Sequence, residues 1–383
     1  MMTSTGPVLT TRNATLTDLA DLLQHQHADK LDVVVPAVAI RSVGGMLHIA
    51  GVGEPVLTPD GVDTAAGVFR PTGICDSALA EKLTIPVAYL RRLREEHIEL
   101  FDANVNTWLG DEPGRRFLVR ALRSGDGRPG IARALLSDSY RLVDNLDVLL
   151  SVLSGIRASG VETEIIGCDL TERRMYVKVQ APEVAVHAPA LLSNYTSPFT
   201  GARGADNPLV FAGFIVTNSE TGHGSFSITP RITVQVCTNG MTISSDVLRE
   251  VHLGGRLAEG VVRWSAATQQ AALELVSRQA ADAVATFLDR GYVERTIAGI
   301  QHQAGTRVGD VAATIEHVSK ELRFSETQAA TILGHFIDSG DRTAGGVLHA
   351  VTSTAQTLED ADAAYEVERA GLKAMSLAAA YQR

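Results

Sequence analysis

Cysteine is scarce in this chain. Cys75, Cys168 and Cys237 are the only three among 383 residues, and they stand far apart. Such spacing supports neither a disulfide framework nor a zinc ribbon, and it fits a reducing cytoplasm. Aromatic residues make up only 5% of the chain, so few rings are on offer for stacking. There is no run of about 18 apolar residues, and no membrane span is expected. The opening Met1-Met2-Thr3-Ser4-Thr5-Gly6 lacks a basic start and an apolar core, so no signal peptide is read there. Net positive charge is also missing. The formal charge is −10, which argues against a protein that coats duplex DNA over its whole surface. What is present is material for a core: 45% hydrophobic and 20% charged residues exclude low-hydrophobicity disorder for most of the chain.

Charge is unevenly distributed. Residues 1–114 hold 8 basic and 15 acidic side chains, whereas residues 115–260 hold 15 and 14. Arg115, Arg116, Arg120, Arg123, Arg128, Arg133 and Arg141 fall in one short stretch of that middle segment. Arginine forks onto phosphate or carboxylate, so this stretch is either a nucleic-acid face or a strand face carrying ion pairs.

Local pattern predicts an α+β fold in three parts. Residues 1–114 form a mixed segment of short strands and a helical hairpin, 115–260 an antiparallel β-hairpin core with packed helices, and 261–383 an all-helical C-terminal region. Thr15 or Thr17 caps a first helix, and Asp76 caps a short helix over 76–83. Pro86 opens another that runs from Val87 to Leu100, and Asp144 caps one at 144–157. A helix-turn-helix over 76–100 would set Arg91, Arg92 and Arg94 toward DNA, but Glu95, Glu96 and Glu99 follow at once and would repel phosphate. Hairpins are read at 117–136, at 165–179 and, most clearly, at 209–237 around Glu220-Thr221-Gly222-His223-Gly224. Pro230 implies a bend or an edge in the last strand. Six helices follow near 264–288, 293–303, 308–322, 325–338, 343–356 and 359–380, with Ser325 and Gln328 as a capping box.

Four segments carry a resemblance. Ser137-Asp138-Ser139-Tyr140-Arg141-Leu142-Val143-Asp144-Asn145 looks like an S-x-x-Y-x-x-(I/V)-D-N motif. Asn218-Ser219-Glu220-Thr221-Gly222, leading to Val236-Cys237-Thr238-Asn239-Gly240-Met241, looks like N-S-(E/D)-x-G … V-C-x-N. His252 resembles the basic stop that follows. Gly345-Gly346-Val347-Leu348-His349-Ala350-Val351-Thr352 resembles a late W-G-x-x-N-A-V-T helix, with Gly346 and His349 departing from its Trp-Gly and Asn. Over about residues 70–356 the chain thus resembles the phage/plasmid-like family of unknown function, the domain-of-unknown-function nine-three-two group. The resemblance implies a soluble protein of mobile elements and no established activity.

Several chemistries fail on spacing. His25 and His27 lie two apart, the wrong interval for one helical face, so no metal is expected. Cys237 sits where a strand meets a turn, and it reads as core in preference to a nucleophile activated by His252. Gly222-His223-Gly224 lies inside a hairpin and lacks the helix N-terminus that a phosphate needs. Asp138, Asp144 and Asp147 cluster without the lysine that a magnesium nuclease adds. No cofactor and no catalytic constellation is read, and the chain is expected to be no enzyme. Single-stranded DNA binding remains. Arg115, Arg116, Arg120, Arg133, Arg141, Arg173, Arg174, Lys178 and Arg203 are its candidate phosphate contacts, and Tyr195 and Phe199, in the loop 193–208, its stacking rings. The leading expectation is an ATP-independent single-strand binding and annealing protein that forms homo-oligomers. The alternative is a non-catalytic interaction factor whose alanine-rich C-terminal helices dock a protein partner.

Overall fold

The computed structural model describes residues 8–52, 55–58, 61–64, 67–124, 127–140, 143–236, 240–243, 248–250 and 266–381. The chain is α+β. It opens with strand β1 (Thr11–Ala14) and helix α1 (Leu16–Asp29), which Thr15 caps in a reciprocal box with Asp18. Next come β2 (Lys30–Pro36), the hairpin β3 (Ile40–Val43) and β4 (Met46–Ile49), the small hairpin β5 (Pro55–Thr58) and β6 (Gly61–Thr64), and β7 (Gly67–Pro71). Helices α2 (Gly73–Lys82), α3 (Val87–Glu96) and α4 (Ile98–Asp111) lead to the hairpin β8 (Arg116–Leu122) and β9 (Gly130–Ser137). Helix α5 (Asn145–Ser159) precedes β10 (Glu164–Leu170), the long β11 (Met175–His187), the short α6 (Pro189–Leu192), β12 (Leu209–Asn218) and β13 (Phe226–Val234). Short strands β14 (Gly240–Thr242) and β15 (Leu248–Glu250) finish the β portion. The helical third holds α7 (Ala266–Phe287), α8 (Arg290–Ala304), α9 (Val311–Leu322), α10 (Glu326–Ser339), α11 (Ala344–Thr357) and α12 (Ala361–Ala380). Among the described residues no helix is long and apolar enough to cross a membrane.

Two sheets organise the molecule. The first runs β2-β8-β9-β7-β4-β3, antiparallel except for the parallel pair β7–β9. The side chains of Val35, Leu47, Phe69, Phe117, Val119 and Leu135 bury one of its faces under α2, α3 and α4, which contribute Leu79, Leu90, Phe101, Val105 and Leu109. The second, seven-stranded sheet runs β1-β10-β11-β12-β13-β14, with β15 also on β13. Its inner face, with Val177, Val179, Phe214 and Ile228, joins α1, α5 and α7 in a larger core that extends through the C-terminal helices. The expected division at residue 115 is no boundary here, because β8 pairs with β2 and β9 with β7, so residues 116–137 complete the sheet of the N-terminal segment. Local pattern specifies strands but not which distant strand each will meet.

Candidate functional site

Charge that looks available in the sequence is gathered into buried clusters. The largest lies between the two sheets. Register places Asp32 of β2 directly opposite Arg120 of β8. The guanidinium donates from Nε and Nη2 to both Asp32 oxygens at 2.9 and 3.1 Å, and from Nη2 to Asp144 Oδ1 at 2.5 Å. Its Nη1 donates to the Glu220 carbonyl at 3.2 Å. The Glu220 carboxylate accepts from Arg133 Nη2 at 2.8 Å and from the Asn145 backbone N–H at 2.6 Å. Lys30 Nζ holds the other Asp144 oxygen at 2.5 Å, and Asn218 Nδ2 donates to Asn145 Oδ1 at 2.8 Å. Asp144-Asn145 and Asn218-Ser219-Glu220, two of the segments behind the family resemblance, therefore meet in space.

Arg120 is 2% exposed. Burial alone would lower its pKa, but Glu220, Asp32 and Asp144 outweigh that and hold it above its ordinary range. Burial would raise Asp144, and Arg120 with Lys30 instead keeps it below the usual carboxylate range. Asp147 goes the other way, pushed up by burial and then by Asp144. The space bordered by Lys30, Arg120, Arg133, Asp144 and Glu220 is about 10 Å³, room for one water at most. This cluster can fasten two sheets together, and it offers no volume to a substrate.

A second cluster covers the outer face of the seven-stranded sheet. Helix α12 lies across it. Glu368 accepts both forks of Arg231 at 2.8 and 3.1 Å and the Thr242 hydroxyl at 2.9 Å. Tyr176 donates to Asp362 at 2.6 Å, and Arg174 pairs with Glu366 at 3.2 Å. Burial would raise Glu368, but Arg231 holds it down. The same helix buries Ala364, Val367, Ala374 and Met375, so α12 is an integral part of the core. At the sheet edge, Asp169 joins Arg12 at 2.7 Å and Lys178 at 2.9 Å.

These clusters decide where each candidate residue stands. Arg120 and Arg133 are buried in the first, Arg174 and Lys178 are paired with acids, and none of the four is presented to a phosphate. Tyr195 is 1% exposed and stacked on His349 at 4.2 Å, so its ring is core and not a platform for bases. Burial in turn pushes His349 down to about 4, with its Nε2 on the Leu191 carbonyl. Arg115 is exposed but tied to Glu112 and to the Lys82 carbonyl. Arg116, Arg173 and Arg203 are exposed with no ion pair among the described residues. Phe199 is 46% exposed and packs edge-on against His335. Arg141, Cys237 and His252 lie outside the described residues. The remaining thiols are inert: burial raises both, Cys168 to about 11. The alanine-rich C-terminal helices bury Ala304, Ala344, Ala350, Ala355 and Ala378 within their own core, so those faces are already occupied.

One exposed surface was missed in sequence. Register pairs Arg41 of β3 with His48 of β4, and His48 with Val68 of β7, while Arg70 lies two residues beyond Val68 on the same face. Their strand neighbours Ile40, Ser42, Leu47, Ile49 and Phe69 point to the buried side. Arg41 and Arg70 are exposed and make no ion pair among the described residues, and these three strands place no carboxylate on that face. Exposed Arg123 and Arg128 lie at the adjoining end of the β8–β9 hairpin. Alternation within each strand carried this signal, but the adjacency of three separate strands did not show locally. No family model, curated protein or solved structure matches the chain.

Proposed function

We propose that this protein binds single-stranded DNA on the open face of β3, β4 and β7, without catalysis. The observation that carries the reading is the pair of arginines without an ion pair among the described residues, Arg41 and Arg70 on either side of His48, next to exposed Arg123. Val43, Met46 and Val68 give the spaces between these cations an apolar floor. An extended strand can lie along such a face with phosphates on the arginines and bases over the aliphatics, whereas a stiff duplex touches a sheet along a line. With no ring on these strands, attraction to the backbone dominates and sequence preference is weak. Annealing by a homo-oligomer, the activity suited to a mobile-element protein, is the fuller form of the same proposal.

The test is fluorescence anisotropy of a labelled oligo-dT strand, with a duplex for comparison, at low and moderate salt. About three phosphate contacts predict a slope near −2 in log affinity against log salt. The Arg41→Glu/Arg70→Glu double variant should lose at least about tenfold. Equal affinity in that variant, or no binding at low salt, sinks the proposal.

A further inference from the structure

A separate surface surrounds the C-terminal end of α4. Leu100, Asn104, Trp108 and Asp111 follow one another along one side of this helix, flanking the side that Phe101, Val105 and Leu109 bury. Leu100 is 52% and Trp108 48% exposed, and neighbouring Val38 is 72% exposed. Beside Trp108 opens a cavity of about 320 Å³. Buried Ala37, Leu83, Leu109 and Phe117 form its floor, and Lys82, Asp111, Glu112 and Arg115 its rim. An apolar floor, an exposed indole and a charged rim are the anatomy of a docking hot spot.

Charge indicates what docks. Helix α4 carries Glu99, Asp102 and Asp111 and not one Lys or Arg. The two cations of the rim are already held, Arg115 by Glu112 and Lys82 by Glu81. Asp111 has no ion pair or hydrogen bond among the described residues. It also sits at the carbonyl end of its helix, where the dipole disfavours a carboxylate. The uncompensated charge beside the indole is therefore negative. An alkyl stem ending in a cation satisfies every part of the site: methylenes over Leu83 and Leu109, and the charge against Trp108, Asp111 and the helix carbonyls.

We propose that this surface receives a basic amphipathic helix of a partner protein. One Arg or Lys of that helix enters the cavity, and an apolar residue about two turns away covers Leu100, which lies about 12 Å from Trp108 along α4. This site shares no residue with the nucleic-acid face and stands independently of it.

The test uses the full chain in a Trp264→Phe background, which leaves Trp108 as the reporter, and a synthetic helical peptide of Leu and Lys in amphipathic spacing. Saturable binding that changes Trp108 fluorescence is expected, and replacing the peptide's lysines with glutamates should weaken it at least about tenfold. Asp111→Lys should cost a similar factor. A Leu100→Ala/Trp108→Ala variant, followed with labelled peptide, should do so as well while leaving the charge untouched. Circular dichroism checks that each variant is folded. Unchanged affinity in Leu100→Ala/Trp108→Ala would reduce the interaction to diffuse charge attraction and overturn the proposal, as would the absence of saturable binding. Light scattering covers the remaining occupant: dimerisation of the free chain abolished by Trp108→Ala would assign the surface to a second copy and overturn it too.

Discussion

At the scale of residues, the buried arginines are answered by carboxylates of the same chain. Arg120 and Arg133 are of the right type for phosphate, yet the chain supplies its own anions in Asp32, Asp144 and Glu220. Those acids come from β2, the start of α5 and the β12–β13 turn, and no spacing rule links such distant positions. Asp144 was legible as a helix start, and it does occupy the N-cap of α5. Its carboxylate makes no capping bond there and is instead held by Arg120 and Lys30. These carboxylates imply acid sensitivity. Asp144, Asp169 and Glu368 are all held below their ordinary values. The unfolded chain takes up their protons first as pH falls, so the stabilisation they give is complete above about pH 5 and is lost progressively below about pH 4. Urea midpoints measured from pH 7 to pH 3 should show that fall. The Asp144→Asn variant should be less stable at neutral pH and lose less between pH 5 and pH 3.

At the scale of elements, agreement is closest where periodicity and caps are both present. All six C-terminal helices lie where the pattern set them, and the Ser325–Gln328 capping box forms. Pro230 lies on β13 between the register of β15 at 226–228 and that of β14 at 231–233, where its carbonyl accepts from the Ile243 N–H, and β13 is interior to the sheet and not an edge. Two readings fail for local reasons. Thr72, not Asp76, caps α2, because the helix starts at Gly73 and Asp76 falls inside its first turn, paired with Arg94. The single helix expected from Val87 to Leu100 breaks at His97 into α3 and α4. Two glycines should respond to alanine in opposite directions. A Cβ on Gly346 would stand 2.0 Å from the Asp341 carbonyl oxygen, while one on Gly334, inside α10, meets nothing within 4 Å. Gly346→Ala should cost about 2 kcal/mol, the overpacking outweighing better helix propensity, whereas Gly334→Ala should gain about 0.5–1 kcal/mol. Thermal unfolding of the two variants would show shifts of opposite sign.

At the scale of the whole molecule, two large apolar cores meet across a seam where the Arg120–Asp144 and Arg133–Glu220 pairs lie beside a small apolar cluster of Leu118, Ala134 and Leu136. The α2–α4 layer belongs to one core, and the helical third to the other. The strands β8 and β9 of the middle segment join the N-terminal sheet, a result of non-local pairing that no window of sequence contains. Glu220 spans the seam, its carboxylate on Arg133 and Asn145 and its carbonyl on Arg120. Glu220→Gln leaves Arg133 buried beside a neutral partner, and removing one member of such a pair typically costs about 3–5 kcal/mol. In a Trp264→Phe background, Trp108 fluorescence reports on the first core and far-ultraviolet circular dichroism on both. The two transitions should coincide in the parent and separate in Glu220→Gln. Continued coincidence would mean that the seam does not couple the cores.

Arg12 donates to the Leu358 carbonyl across 346 positions, and β1 pairs with β10, which follows it by about 150 residues. On a ribosome adding about 5–20 residues per second, the early strand waits on the order of ten to thirty seconds for its partner to emerge. The contact with Leu358 cannot form until that residue has left the exit tunnel. Until β10 emerges, β1 is an unpaired strand on a nascent chain, exposed to whatever strand or chaperone meets it first.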